Sequence, residues 1–250
     1  DQVWTNSLIG KAQRGAVWRE MDAAFQPGDR VLELNCGTGV DAIHLAERGV
    51  EVFACDASYA MIDVARRRLA SSPPAANVQF SVLAIEDIAL LASRGSFDGA
   101  FSNFAGLNCV QNLPGVARDL ARLLKPGATA LLCLAGRIAL WEILWYMLHG
   151  KPRKALRRIR RGGAVARLAA DSYVKVHYAT VGQLKRIFAP EFRLKRWTGV
   201  GISVPPSYLE PLAQRFPKTL KVMERADHWL ACCPALRGLA DHVLLNFERV

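Results

Sequence analysis

Apolar residues along the chain fall into two kinds of run. Compact blocks, Val31-Leu32-Glu33-Leu34, Glu51 to Cys55, Phe97-Asp98-Gly99-Ala100-Phe101 and Ala128 to Leu134, have the density of strands covered on both faces. Val78-Gln79-Phe80-Ser81-Val82 alternates as a further strand, and Phe192 to Trp197 and His242 to Phe247 supply two late ones. Between the blocks, apolar positions recur at helical spacing. Ile43, Leu45 and Ala46 form one such face, stopped by Gly49; Met61, Ile62, Ala65 and Leu69 form the next, behind Ser58 as N-cap and ending in Arg66-Arg67-Arg68. Val116, Leu120, Leu123 and Leu124 follow Pro114 and stop at Lys125-Pro126-Gly127. An entry helix over residues 3–25 carries Val17, Trp18, Met21, Ala24 and Phe25 on its apolar face, and Pro73-Pro74 breaks the chain before the third strand. The alternation of strand and helix predicts an α/β fold.

Composition narrows the class. A chain of 250 residues, 51% hydrophobic, can bury a core without disulfides, and one domain over 1–250 is expected. Six cysteines show no Cys-x-x-Cys pair and no histidine at ligand spacing, so they read as reduced thiols with no metal site, Cys232-Cys233 as small filling in a helix. With no secretory signal in the sequence, this predicts a cytoplasmic protein. The apolar region from Ala128 to His149 is interrupted by Arg137 and Glu142, which argues against a membrane span. Charge is uneven: residues 137–196 hold fifteen Lys and Arg against three Asp and Glu, which accounts for the whole net charge of +11.

The candidate chemistry sits in Val31 to Asp56. Strand, small-residue turn (Asn35-Cys36-Gly37-Thr38-Gly39), helix and second strand make a βαβ unit, and the second strand ends on an acid. Glycines admit a ligand close to the backbone, the helix start offers N–H groups, and Asp56 can accept from ribose hydroxyls. An adenosine-containing cofactor suits that cradle. Gly37-Thr38-Gly39-Val40-Asp41-Ala42 also fits the dinucleotide fingerprint, but Glu33, four positions before Gly37, would repel a pyrophosphate.

With Glu33 included, the run Glu-x-Asn-x-Gly-x-Gly resembles the signature of class I S-adenosylmethionine-dependent methyltransferases, with Asn35 where that family usually has its first glycine. The resemblance implies a doubly wound, seven-stranded, mostly parallel Rossmann-like sheet with helical insertions over 136–190 and 203–240. It implies S-adenosylmethionine bound by Glu33, Asn35, Cys36, Gly37 and Gly39, by Asp56 and Ala57, and by Met61 on the adenine. The family's adenine turn falls at Ile85-Glu86-Asp87, with Ala84 where an Asp is usual; Glu86, Asp87 or the Ile85 backbone takes that role, or the two acids cap the next helix. Asn103 and Phe104, at the fourth strand's carboxyl end where ligands bind in such sheets, are further implied contacts of the cofactor, and Arg14 is either a ligand of the methionine carboxylate or a solvated helix charge.

Ser102-Asn103-Phe104-Ala105 lacks the Pro-Pro-aromatic turn of enzymes that methylate nucleic-acid amines. A small lipophilic or anionic acceptor is the leading expectation. An RNA-directed enzyme using Lys151 to Arg161, and a non-catalytic partner subunit that binds cofactor, are the alternatives. The greasy run Ile138 to Leu148 followed by the cationic helix KPRKALRRIRR predicts an interfacial lid in contact with a lipid surface, or a pocket for a lipophilic or anionic substrate, or else a buried helix beside a solvated basic face. His177, with Tyr178 beside it, is the candidate base, unless Val174, Val176 and Tyr178 form a short structural strand.

Overall fold

The computed structural model describes residues 5–72, 77–160, 163–169 and 172–250, so Pro73-Pro74, Arg161 and the start of the expected entry helix lie outside it. Nine strands are present in that range: β1 Arg30–Leu34, β2 Glu51–Asp56, β3 Val78–Val82, β4 Phe97–Ser102, β5 Leu124–Ala135, β6 Ala164–Ala169, β7 Ser172–Val176, β8 Phe192–Val200 and β9 His242–Arg249. The helices are α1 Leu8–Ala24, α2 Val40–Glu47, α3 Tyr59–Ala70, α4 Leu113–Leu123, α5 Leu140–Leu148, α6 Pro152–Ala155, α7 Val181–Phe188, α8 Glu210–Arg215 and α9 Pro217–Leu230.

Seven strands form one sheet in the order β3-β2-β1-β4-β5-β9-β8, the doubly wound sheet that the resemblance implies. The β1–β2, β1–β4, β2–β3 and β4–β5 pairs are all parallel. Chain order runs one way from β1 to β3 and the other way from β4, so the reversal falls between β1 and β4. Ligands bind at that switch point, beyond the strands' carboxyl ends. Val31 to Leu34 is buried throughout, without alternation, because β1 is covered on both faces. The fifth strand starts earlier than its apolar run: Lys125-Pro126-Gly127, expected as a helix stop, already belongs to β5.

The expected single domain consists of two compact units interleaved in sequence. The first comprises Trp18–Leu132, Gly182–Arg196 and Leu245–Val250. Its core includes Leu32, Leu34, Leu45, Ile62, Ile88, Phe97 and Phe101, all fully buried, and Phe188 stacks on Phe247 at 4.8 Å.

The second unit comprises Asp1–Val17, Cys133–Val181 and Trp197–Leu244. Ile9, Ala12, Val204, Leu209, Ala213 and Leu220 form a core against which Trp141, Trp145 and Met223 pack. The start of α1 is capped twice: Ser7 Oγ accepts from Gly10 N at 2.9 Å, and the Glu210 carboxylate accepts from Leu8 N and Ile9 N at 2.8 and 3.0 Å.

Three expectations for this unit need correction. The segment 136–190 is not wholly helical, because β6 and β7 pair antiparallel within it; the alternating Val174-Val176 run is a strand. The cationic run is helical only over Pro152–Ala155. Arg157 and Arg158 lie in the turn beyond it, and both reach one carboxylate. Cys232-Cys233 lies beyond the end of α9, not within a helix, and Cys232 is exposed.

Candidate cofactor site

The site-forming turns all belong to the first unit. Leaving β1, the chain takes positive φ at Asn35 (54°), Gly37 (53°) and Gly39 (72°). Asparagine tolerates this conformation, which is why it can stand where a glycine is usual. The two glycines serve different ends. A Cβ on Gly37 would meet nothing within 4 Å, whereas one on Gly39 would fall 2.5 Å from the Phe80 ring and 2.9 Å from Ala65 Cβ. Gly37 leaves open space beside the turn; Gly39 lets α2 pack.

Asp56 fixes the turn from β2. Its Oδ2 accepts from Gly37 N at 2.9 Å and its Oδ1 from Ser58 N at 2.9 Å, so each oxygen retains a lone pair. Ser58 caps α3 by accepting from Met61 N at 3.3 Å, as its position in the sequence predicts. Arg68 Nε donates to Thr38 O at 3.1 Å and braces the turn from α3.

The local field is negative. Glu33 is buried at the middle of the edge, and burial together with Glu33 and Asp56 pushes the Cys36 thiol up and the Cys55 thiol up to about 12. A sulfonium or ammonium suits that field and a pyrophosphate does not. Asn35 Nδ2 and Ser102 Oγ are buried with no hydrogen-bond partner among the described residues, as a site with ligand-directed polar groups would have them.

The β4 end is built around a residue that the sequence did not single out. Asp41, in the first turn of α2, accepts from Trp18 Nε1 at 2.7 Å and from Asn103 Nδ2 at 3.0 Å. Trp18 in turn stacks on His44 with ring centroids 3.8 Å apart, and His44 Nε2 lies 2.8 Å from Asp22 Oδ1. Asn103 Oδ1 accepts from Phe104 N at 2.9 Å, leaving the amide occupied on both sides. Phe104 and Ala105 then take φ of 45° and 69°, left-handed conformations that non-glycine residues rarely hold and that concentrate at functional turns. An acid two residues after the last glycine of the turn, in a helix's first turn, is the signal the sequence offers; the helical spacing marks Trp18 as a packing residue only.

Of the other predicted contacts, Ala57 and Met61 are exposed at the start of α3, and Ile85 is buried. Glu86 and Asp87 are exposed in the first turn of a 3-10 helix whose N-cap, Ala84, makes no side-chain cap. Arg14, His177 and Tyr178 belong to the second unit. Arg14 is buried on α1. Tyr178 is half-buried under the Arg158 guanidinium, 5.4 Å from its ring; burial pushes its phenol up despite Arg158 and Arg157, so it is a donor at neutral pH.

Within that unit the basic segment is partly consumed. Glu142, fully buried, accepts from Arg157 Nε and Nη2 at 2.6 and 3.0 Å and from Arg158 Nε at 2.9 Å. Arg158 also donates to Gly136 O, Asp241 O and Asp241 Oδ1 at 3.2, 2.9 and 2.7 Å. Asp227 gathers the backbone N–H groups of Ile202, Ser203 and Val204. Among the described residues no group of His, Cys, Asp and Glu could hold a metal ion, and no helix is long and apolar enough to cross a membrane.

Comparison with known proteins agrees with this geometry. Residues 31–127 match the family model described as methyltransferase domain. The chain is 34% identical over 131 residues to a demethylmenaquinone methyltransferase of Clavibacter sepedonicus, covering 52% of this chain and 51% of that protein. It is 36% identical over 111 residues to a ubiquinone biosynthesis O-methyltransferase of Xanthomonas campestris pv. campestris, covering 44% and 45%. The chain thus spans about half the length of the curated relatives it matches. A solved S-adenosylmethionine dependent methyltransferase from Mesorhizobium loti superposes with a TM-score of 0.58 at 17% identity, over 95% of this chain and 100% of that one, which establishes the shared fold.

Proposed function

We infer that this chain, which shares the fold of a solved S-adenosylmethionine dependent methyltransferase and whose residues 31–127 match the methyltransferase domain model, is an enzyme that methylates a small lipophilic acceptor. The observation that carries the reading is the Asp56 clamp: one carboxylate holds the Gly37 turn at 2.9 Å and still presents lone pairs for ribose hydroxyls. Asp56 would take the ribose, Glu33 would face the methionine ammonium, and Asn35 Nδ2 would donate to the cofactor. Met61 would cover the adenine, with Ile85, Glu86 and Asp87 along its edge. S-adenosylmethionine, when bound, supplies an electrophilic methyl group. The chain's own task is to align the acceptor and exclude water, which needs little covalent chemistry. For an acceptor that carries a proton, we assign His177 as base and Tyr178 as hydrogen-bond donor.

The names of the relatives support a quinone-type acceptor, and contact with a lipid surface through residues 138–161 accords with it. The RNA-directed reading loses support because Arg157 and Arg158 are engaged with Glu142 and Asp241, and Arg137 donates to Ile159 O at 3.1 Å. The test is calorimetric. S-adenosylmethionine should bind the full chain, and Asp56→Ala, which removes two charge-assisted hydrogen bonds, should weaken binding about 100-fold. Unaltered affinity in that variant sinks the assignment. Turnover to S-adenosylhomocysteine with a quinone-type phenol then separates an enzyme from a non-catalytic subunit.

A further inference from the structure

One surface of the second unit carries chemistry that methyl transfer does not use. Leu144, Met147, Leu148, Leu156 and Ile159 are 49, 50, 83, 42 and 38% exposed. Interleaved with them are Lys151, Arg153, Lys154 and Arg160, all exposed. The acid of this stretch, Glu142, is buried and already paired with Arg157 and Arg158, so it does not offset those four charges. Between them lies an open groove of about 380 Å³ lined by Pro152, Arg153, Leu156, Ile159 and Arg160.

We propose that this surface docks the protein on an anionic lipid bilayer. The five apolar side chains enter the acyl boundary and the four cations meet lipid phosphates. Two features select a bilayer. Apolar side chains protruding between cations have no role against a nucleic-acid backbone, where phosphate contacts dominate, but they match the division between acyl chains and headgroups. The exposed apolar and cationic side chains also run on from Leu144 to Arg160, well beyond the open groove itself, which suits an extended surface better than one small anion. With no helix among the described residues able to span, attachment is by docking. The inference rests on the lipophilic-acceptor reading and names the phase from which that acceptor is drawn.

The experiment is co-sedimentation of the full chain with phosphatidylcholine vesicles, with and without phosphatidylglycerol, at low and high salt. Binding should require phosphatidylglycerol and weaken with salt. Changing Lys151, Arg153, Lys154 and Arg160 to Gln should reduce partitioning about fivefold for each cation removed. Leu148→Ser with Ile159→Ser should reduce it about tenfold or more at unchanged charge. Asp56→Ala should bind vesicles like the parent, and both surface variants should keep their calorimetric affinity for S-adenosylmethionine, so failure of docking is distinguishable from failure of the cofactor assignment. Equal binding to neutral vesicles, no binding to anionic ones, or RNA binding that the charge variant abolishes while the leucine–isoleucine variant sediments normally would each overturn the proposal.

Discussion

Asn103 Nδ2 lies 3.0 Å from Asp41 Oδ2, and through this bond the turn at the end of β4 is tied to the first turn of α2. The amide expected to meet the cofactor is therefore a positioning group: it holds the left-handed Phe104-Ala105 turn in place, while Trp18 occupies the other oxygen of the same carboxylate.

Asp41→Ala should accordingly act on both sides. A buried donor, Asn103 Nδ2, and a half-buried one, Trp18 Nε1, lose their acceptor, which costs about 2 kcal/mol of stability in denaturant unfolding. Trp18 fluorescence should shift at the same time, and cofactor affinity should fall although Asp41 is not assigned to the cofactor. A variant as stable as the parent would show that the clamp contributes nothing.

The two glycines should separate under the same substitution. Gly37→Ala puts a methyl into open space at positive φ, for about 1 kcal/mol of stability, and its main effect should be weaker binding of S-adenosylmethionine. Gly39→Ala adds a clash with Phe80 and Ala65 and should cost about 3 kcal/mol or more. Thermal melts and calorimetry on the pair provide the comparison.

Arg157 and Arg158 share Glu142 but not its environment. The Arg158 side chain is 11% exposed and bridges Glu142 and Asp241, so Arg158→Met leaves two buried carboxylates short of a partner and should cost about 3–5 kcal/mol. Arg157 is 44% exposed, and Arg157→Met should cost about 1 kcal/mol or less. Equal losses would contradict this division.

Acid should loosen the second unit. Burial holds the His242 imidazole below its ordinary value, so it is neutral when folded. Below about pH 6.5 the unfolded chain gains a proton there that the folded chain refuses, and stability falls. Burial tends to raise the Asp241 carboxyl, but the Arg158 guanidinium, 2.7 Å away and hydrogen-bonded to it, holds it below its usual range. That contribution is present above about pH 4 and is lost as pH falls through the depressed value. Melting temperature should therefore decline from near neutrality downward, and His242→Gln should remove the upper part of the decline.

The sequence by itself determined the sheet, because strands covered on both faces need unbroken apolar blocks and the helices between them show a different period. It also grouped the residues proposed for the cofactor: Glu33, Asn35, Gly37, Gly39 and Asp56 lie within one βαβ unit, where local backbone geometry brings them together. Only the tertiary structure decided the rest. Asp41 meets Trp18 and Asn103 across 23 and 62 residues of chain, and Glu142 meets Arg158 while Arg158 meets Asp241 across 83. Partners so far apart leave no periodicity to read. A formal charge likewise does not reveal whether an arginine will be buried in an ion pair or left facing solvent, and that division turned an expected cationic helix into one internal clasp and one exposed basic, apolar face.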